Sequence, residues 1–155
     1  MMSDLIFRRA TRDDLPAIVA LLADDALGSQ RESTRLPLDA RYLAAFGEIE
    51  ADANQQLVVA VADNIVIGTL QLSFIPGIAR LGAWRGQIEA VRIASSQRGA
   101  GLGERLLEWA VAACRARGCD LVQLTTDKQR HDAHRFYERL GFVASHEGYK
   151  LALRG

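Results

Sequence analysis

Apolar and polar positions alternate along the chain with two periods, and the changes between them predict the elements. Residues 5–9 have the pattern of a short strand. Thr11 followed by Arg12, Asp13, Asp14, Leu15 and Pro16 reads as a helix start, with a hydroxyl cap and acids in the first turn, and predicts a helix to about Ala26. Residues 28–35 are polar and unpatterned, whereas Leu38, Tyr42, Leu43, Phe46 and Ile49 recur at helical spacing. Residues 56–62 and 65–75 are apolar runs around the turn-forming pair Asp63-Asn64, the pattern of a hairpin that Pro76-Gly77 ends. A strand over 87–93, a helix from about Gly101 to Arg117 closed by Gly118, and an apolar strand over 119–126 follow. A short helix over 131–140 and a closing pair of strands at 141–143 and 149–153 complete the chain. The order β-α-α-β-β-β-α-β-α-β-β mixes hairpins with helical crossovers, so an α/β (α+β) fold with a mixed sheet and helices on both faces is expected.

Length and composition narrow this picture. A chain of 155 residues, 49% hydrophobic and 25% charged, fits a single folded domain over 1–155 and excludes general disorder. Lys+Arg 19 balances Asp+Glu 19, so nucleic-acid capture by a broadly basic surface has no support, and an anionic partner must be held locally. Only Lys128 and Lys150 are lysines; 19 − 2 leaves 17 arginines, the side chain with a fixed fork of donors for phosphate or carboxylate. Cys114 and Cys119 have the spacing of neither a redox CxxC pair nor a zinc site, which points to a reducing cytoplasm. Met1-Met2-Ser3-Asp4 lacks the basic and apolar regions of a leader, and no run approaches the length of a membrane span, so no membrane association is expected.

Candidate chemistry concentrates in Gln97-Arg98-Gly99-Ala100-Gly101-Leu102-Gly103, between an apolar strand and a long amphipathic helix. Glycines let the backbone turn tightly and approach a ligand. Open N–H groups at the helix start, at the positive end of its dipole, then suit an anion. Arg98 adds a bidentate partner for a phosphate oxygen. A P-loop requires Gly-Lys and then Ser or Thr, whereas Gly103 precedes Glu104-Arg105; the dinucleotide fingerprint requires a sixth-position glycine where Glu104 stands. Nucleoside triphosphatase chemistry drops out, and a Rossmann oxidoreductase is not expected. A tight connection that binds nothing remains the plain structural alternative.

The run Arg98-Gly99-Ala100-Gly101-Leu102-Gly103 resembles the Arg/Gln-x-x-Gly-x-Gly/Ala signature of the GNAT superfamily of acyl-CoA-dependent N-acyltransferases. The resemblance extends upstream to Ile88-Glu89-Ala90-Val91-Arg92-Ile93, similar to the family's fourth strand. Downstream, the segment from Ala133 through Phe136, Tyr137, Glu138, Gly141 and Phe142 is similar to its Ala-x-x-x-Tyr-Glu-x-x-Gly-Phe motif. It implies a mostly antiparallel central sheet of six to seven strands. It also implies acetyl-CoA as co-substrate, with Arg98, Gly99, Ala100, Gly101, Leu102 and Gly103 on its pyrophosphate and main-chain groups of Val91 and Ile93 on the pantetheine arm. Ala133 and Phe136 fall in the downstream motif, on the cofactor side. Arg130 stands where relatives often carry an asparagine that bonds the pantetheine arm, and a cation there could reach a phosphate instead. Many relatives are homodimers, which makes a homodimer the expected state.

The implied reaction is direct attack of a primary amine of a small molecule, peptide or protein on the thioester, in a ternary complex. The amine must lose a proton and the sulfur must be stabilised as it leaves. Tyr137 matches the family's general acid; a phenol near pKa 10 can donate to a thiolate whose acid lies near pKa 8.5. Glu89 is the base candidate, because strand alternation places it on one face with Val91 and Ile93, where partial desolvation would favour proton uptake. A carboxylate that only orients a substrate ammonium, or a water relay, is the alternative. His131 and His134 lie one helical turn apart with no further ligand pair nearby, so no metal is expected. A non-catalytic acyl-CoA sensor is the competing reading, and it would need neither Glu89 nor Tyr137. The acceptor pocket is expected around residues 26–40, the loop over 76–85 with Arg80, Trp84 and Arg85, and the C-terminal strands.

Overall fold

The computed structural model describes residues 5–154; the Met1–Asp4 segment considered above lies outside the described residues. Two compact units emerge, residues 1–123 and residues 124–155. The first contains β1 (Ile6–Arg9), α1 (Leu15–Ala23), the single turn α2 (Gly28–Arg31), α3 (Ala40–Ala51), β2 (Gln55–Ala62), β3 (Ile65–Pro76), the short turn α4 (Ala79–Gly82), β4 (Trp84–Ile93) and α5 (Leu102–Ala116). β5 (Cys119–Leu124) ends it, and the second unit carries α6 (His131–Arg139).

The strands form one mixed sheet in the order β1-β2-β3-β4-β5. β1 through β4 are antiparallel neighbours, as the hairpin pattern predicts. Asp63 and Asn64 turn the β2–β3 hairpin with φ of 51° and 63°, the double left-handed geometry that Asn and Asp tolerate. α5 leaves through β4's C-terminal end and returns the chain to β5, beside β4.

Register assigns the two sheet faces. Gln56, Val58, Leu70, Leu72, Phe74, Gly86 and Ile88 share one face, on which Leu102, Leu106 and Leu107 of α5 are buried to 1% exposure or less. The packing there is close: a Cβ added at Gly86 would lie 2.2 Å from the Cys114 sulfur. Burial pushes the Cys114 thiol up to about 11, so the cysteine is core material rather than a reactive group. On the opposite face Val59 and Val61 pack with Leu15 and Ile18 of α1 and Phe46 of α3. Asp14 fixes the start of α1: Arg8 donates to it at 2.7 and 3.1 Å, and the Thr11 amide at 2.7 Å. These donors, Arg8 foremost, hold its carboxyl below the usual range.

Four expectations change. The strands predicted at 141–143 and 149–153 are not formed, so the sheet has five strands among the described residues, not six to seven. Strand pattern is local, whereas a strand also needs a neighbouring backbone to accept it. The first helix ends at Ala23, where Asp24 leaves helical geometry, and the segment expected to be irregular holds the turn α2. Gly28 makes α2 possible, since a Cβ there would meet the Leu22 carbonyl oxygen at 1.9 Å. Trp84 and Arg85 belong to β4, paired with Pro76 and Ile75, and not to a loop.

Candidate active site

The glycine turn has the geometry an anion cradle needs. A 3-10 turn over Ser95–Gln97 follows β4, Arg98 is extended, and Gly99 and Gly101 take φ of 83° and 80°. A Cβ at either glycine would meet no atom within 4 Å, so the requirement is conformational and not steric. Gly101 is the N-cap of α5 and has no side chain with which to cap it, so the first-turn amides of Leu102, Gly103 and Glu104 face outward without an intrahelical acceptor. Leu102, 1% exposed, anchors that turn in the core, while Arg98, Gly99 and Ala100 are exposed. Fifteen residues of helix dipole thus end on open donors beside an arginine, a donor set that fits a pyrophosphate.

β4 departs from regular alternation just before this turn. Thr69 pairs with Arg92 and Gln71 with Glu89, so Leu70 alone faces both Ala90 and Val91. This β-bulge is centred on Ala90, whose φ is 55°. Glu89 therefore shares its face with Arg92 and Gln87, whereas Ile93 pairs with Gly68 on the other; the shared face expected for Glu89 and Ile93 is corrected by the extra residue. Glu89 is also exposed rather than partly desolvated. Val91 and Ile93 are half-buried. The Val91 carbonyl accepts from Nη1 of Arg92 at 2.9 Å, while Nε of Arg92 lies 3.5 Å from Oδ2 of Asp25. Asp25 also accepts from the Gly28 amide at 2.5 Å, so the α1–α2 connection steadies the bulge.

Glu89 stands in a row of polar side chains that crosses four strands. Gln123 on β5 donates to the Gln87 carbonyl at 2.9 Å, and Gln87 donates to Glu89 at 2.6 Å. On β3, Gln71 and Ser73 donate to the Gln55 carbonyl at 3.0 and 3.1 Å. Beyond the cover of α1 and α3, this face opens as a cleft of about 580 Å³ lined by Glu48, Asp52, Gln55, Gln71, Ser73 and Glu89, among others. Glu48 and Asp52 end α3, whose last turn carries no cation, so helix dipole and carboxylates add in the same sense. Its lining is largely outside the segments expected to form the acceptor pocket; the signal was available as polar residues at every second position of β3 and β4.

The remaining expected residues lie in the second unit. Arg130 is the N-cap of α6, with its carbonyl accepting from Ala133 and His134 at 3.1 and 3.2 Å. Arg130 and Ala133, with Gln129, His131 and Asp132, line a hollow of about 480 Å³. The Tyr137 ring is half-buried between Phe136 and Phe142, at centroid distances of 5.3 and 5.9 Å in edge-on geometry. His134 Nε2 lies 2.9 Å from the Asp127 carbonyl, and no group of three His, Cys, Asp or Glu among the described residues could hold a metal ion. No helix among them is long and apolar enough to cross a membrane.

A sequence profile of the Acetyltransferase (GNAT) family matches residues 17–142, which include β4, the glycine turn and α6. The chain belongs to the GNAT family. It is an acetyltransferase, and enzymes of this family use acetyl-CoA as co-substrate. The aminoalkylphosphonate N-acetyltransferase of Salmonella typhimurium is 30% identical over 94% of this chain and 90% of its own. A glucosamine 6-phosphate N-acetyltransferase of Trypanosoma brucei brucei is 35% identical over 57% of this chain and 58% of its own. The crystal structure of a transcriptional regulator from Bacillus halodurans C-125 is 49% identical and superposes with a TM-score of 0.94 over 96% of this GNAT chain and 99% of its own.

Proposed function

We propose that this acetyltransferase moves the acetyl group of acetyl-CoA to a primary amine of a small molecule, peptide or protein, with residues 1–155 acting as one domain. The observation that supports it best is Glu89, exposed in a cleft on the same strand whose bulge runs into the glycine turn. The first-turn amides of α5 and Arg98 bind the donor's pyrophosphate, and the bulged backbone around Val91 and Ile93 receives its pantetheine arm. Glu89, held by Gln87, takes a proton from the acceptor's ammonium, the neutral amine so formed attacks the thioester carbon with its lone pair, and the adduct's nitrogen gives its second proton to solvent. The carbon–sulfur bond breaks, and Tyr137 hydrogen-bonds or protonates the leaving thiolate. A cytoplasmic location and a homodimeric state belong to the same reading.

The cleft supports a cationic amine acceptor. Glu48, Asp52 and Glu89 place three carboxylates along it, and its lining includes no Lys or Arg. An acceptor with a second positive charge suits it better than one with a phosphonate or phosphate near the amine, as on the substrates named for the two relatives. The test is thiol release from acetyl-CoA across a panel of a diamine, an aminoalkylphosphonate and glucosamine 6-phosphate. Turnover with the diamine foremost supports the reading; CoA binding without turnover on any amine overturns the enzyme assignment in favour of a sensor.

A further inference from the structure

Gln87 is tied at both ends of its amide. Its Nε2 donates to Oε1 of Glu89 at 2.6 Å, and its carbonyl accepts from Nε2 of Gln123 at 2.9 Å. Gln87 and Gln123 are half-buried, whereas Glu89 is exposed. A half-buried amide with an unpaired end has lost hydration without replacing it, so both ends of Gln87 need partners of the right kind.

The carboxylate sets the polarity of this row. An ionised Glu89 can only accept, so Gln87 must turn its amino group toward it and its carbonyl toward β5. That carbonyl can only accept as well, so position 123 must donate. Gln123 therefore decides which way the Gln87 amide faces. Were the amide reversed, its carbonyl would stand against the carboxylate, acceptor against acceptor. Gln71 lies opposite Glu89 in the β3–β4 register, yet it spends its amino group on Gln55 at 3.0 Å, and the Ser73 hydroxyl joins it there at 3.1 Å. One set of donors thus converges on Gln55 and the other on Glu89, and the hold on Glu89 is built from β4 and β5.

We propose that Gln123 and Gln87 are positioning residues for acetyl transfer: Gln123 fixes the Gln87 amide, and Gln87 holds Glu89 by Oε1 so that Oε2 takes the acceptor's proton. This role rests on Glu89 as the proton acceptor proposed above, and it adds the residues through which the sheet aims that carboxylate. A glutamate on an exposed strand position samples several rotamers. A short hydrogen bond from the neighbour two positions back on the same face confines it to those within reach of Gln87. A misdirected base costs rate, because proton transfer requires hydrogen-bond geometry at the moment of reaction, and it leaves binding of the acetyl donor untouched.

The test is steady-state thiol release by the full chain with acetyl-CoA and the amine of the panel that it turns over fastest, with urea unfolding of each variant alongside. Gln87→Met and Gln123→Met, which keep side-chain length and remove the amide, should each lower kcat by about 10-fold with the KM for acetyl-CoA unchanged. Gln123→Glu places an acceptor where a donor is required and should cost more than Gln123→Met; it also gives an independent reading if the methionine variant unfolds. In a Glu89→Gln background, Gln123→Met should cost less than about 2-fold, because the group through which it acts is gone. Full rates in both Gln123 variants, or a loss of the same size with and without Glu89, overturn the positioning role while Glu89 stands as the proton acceptor. A full rate in Glu89→Gln by itself overturns both.

Discussion

The two faces of β4 put the same alternation to opposite uses. Gly86 and Ile88 point to α5, where Cys114 leaves no room for a methyl group and the leucines are sealed from water. Glu89, one residue from Ile88, lines an open cleft, and Gln87 on the same face spends its side chain on hydrogen bonds to Glu89 and Gln123. On the proposed reading, the difference separates two kinds of chemistry. Donor binding is assigned to backbone, held rigid by the packed face through Leu102 and α5; acceptor chemistry is assigned to side chains on the face that the helices leave uncovered.

That contrast breaks at different places with different force. Tyr137→Phe should lower kcat by about 100-fold with little change in either KM, because on the proposed reading the hydroxyl is used only as sulfur departs; steady-state thiol release checks it. Gly86→Ala should destabilise the chain by about 2 kcal/mol through overpacking against Cys114, seen in thermal or urea unfolding. Equal tolerance there and at the cleft would erase the distinction between the faces. Gly101→Ala should cost about 1 kcal/mol by forcing a side chain into the left-handed region, and should raise KM for acetyl-CoA while leaving the acceptor KM alone.

The smallest effect concerns acid. Arg8 and the Thr11 amide lower the Asp14 carboxyl from 3.8, so its contribution to stability is fully present above that pH and is lost as pH falls through the lower native value. Asp14→Asn should lower stability at neutral pH and flatten the acid limb of an unfolding curve, so that the two chains converge as pH falls below the native value.

What the sequence discloses depends on how local the cause is. Gly99, Gly101 and Gly118 could be read because a left-handed residue has glycine as its signature, and the Asp63-Asn64 turn likewise. The bulge could not, since an alanine at φ 55° has no such mark and Glu89-Ala90-Val91-Arg92-Ile93 alternates as a regular strand would. The polar row was visible in pieces, but only strand register brings Gln55, Gln71, Gln87, Glu89 and Gln123 onto one face. Residues 149–153 carry a strand pattern yet form no strand, because a ladder needs a partner backbone, which a local pattern does not specify.

The central claim is that β4 carries the proton acceptor on its open face while the glycine turn binds the donor. Kinetics of Glu89→Gln with acetyl-CoA and the best amine of the panel tests it most directly. The account predicts a loss of about 100-fold or more in kcat with the KM for acetyl-CoA unchanged. A variant that keeps the full rate, or one whose defect is confined to acetyl-CoA binding, would contradict it.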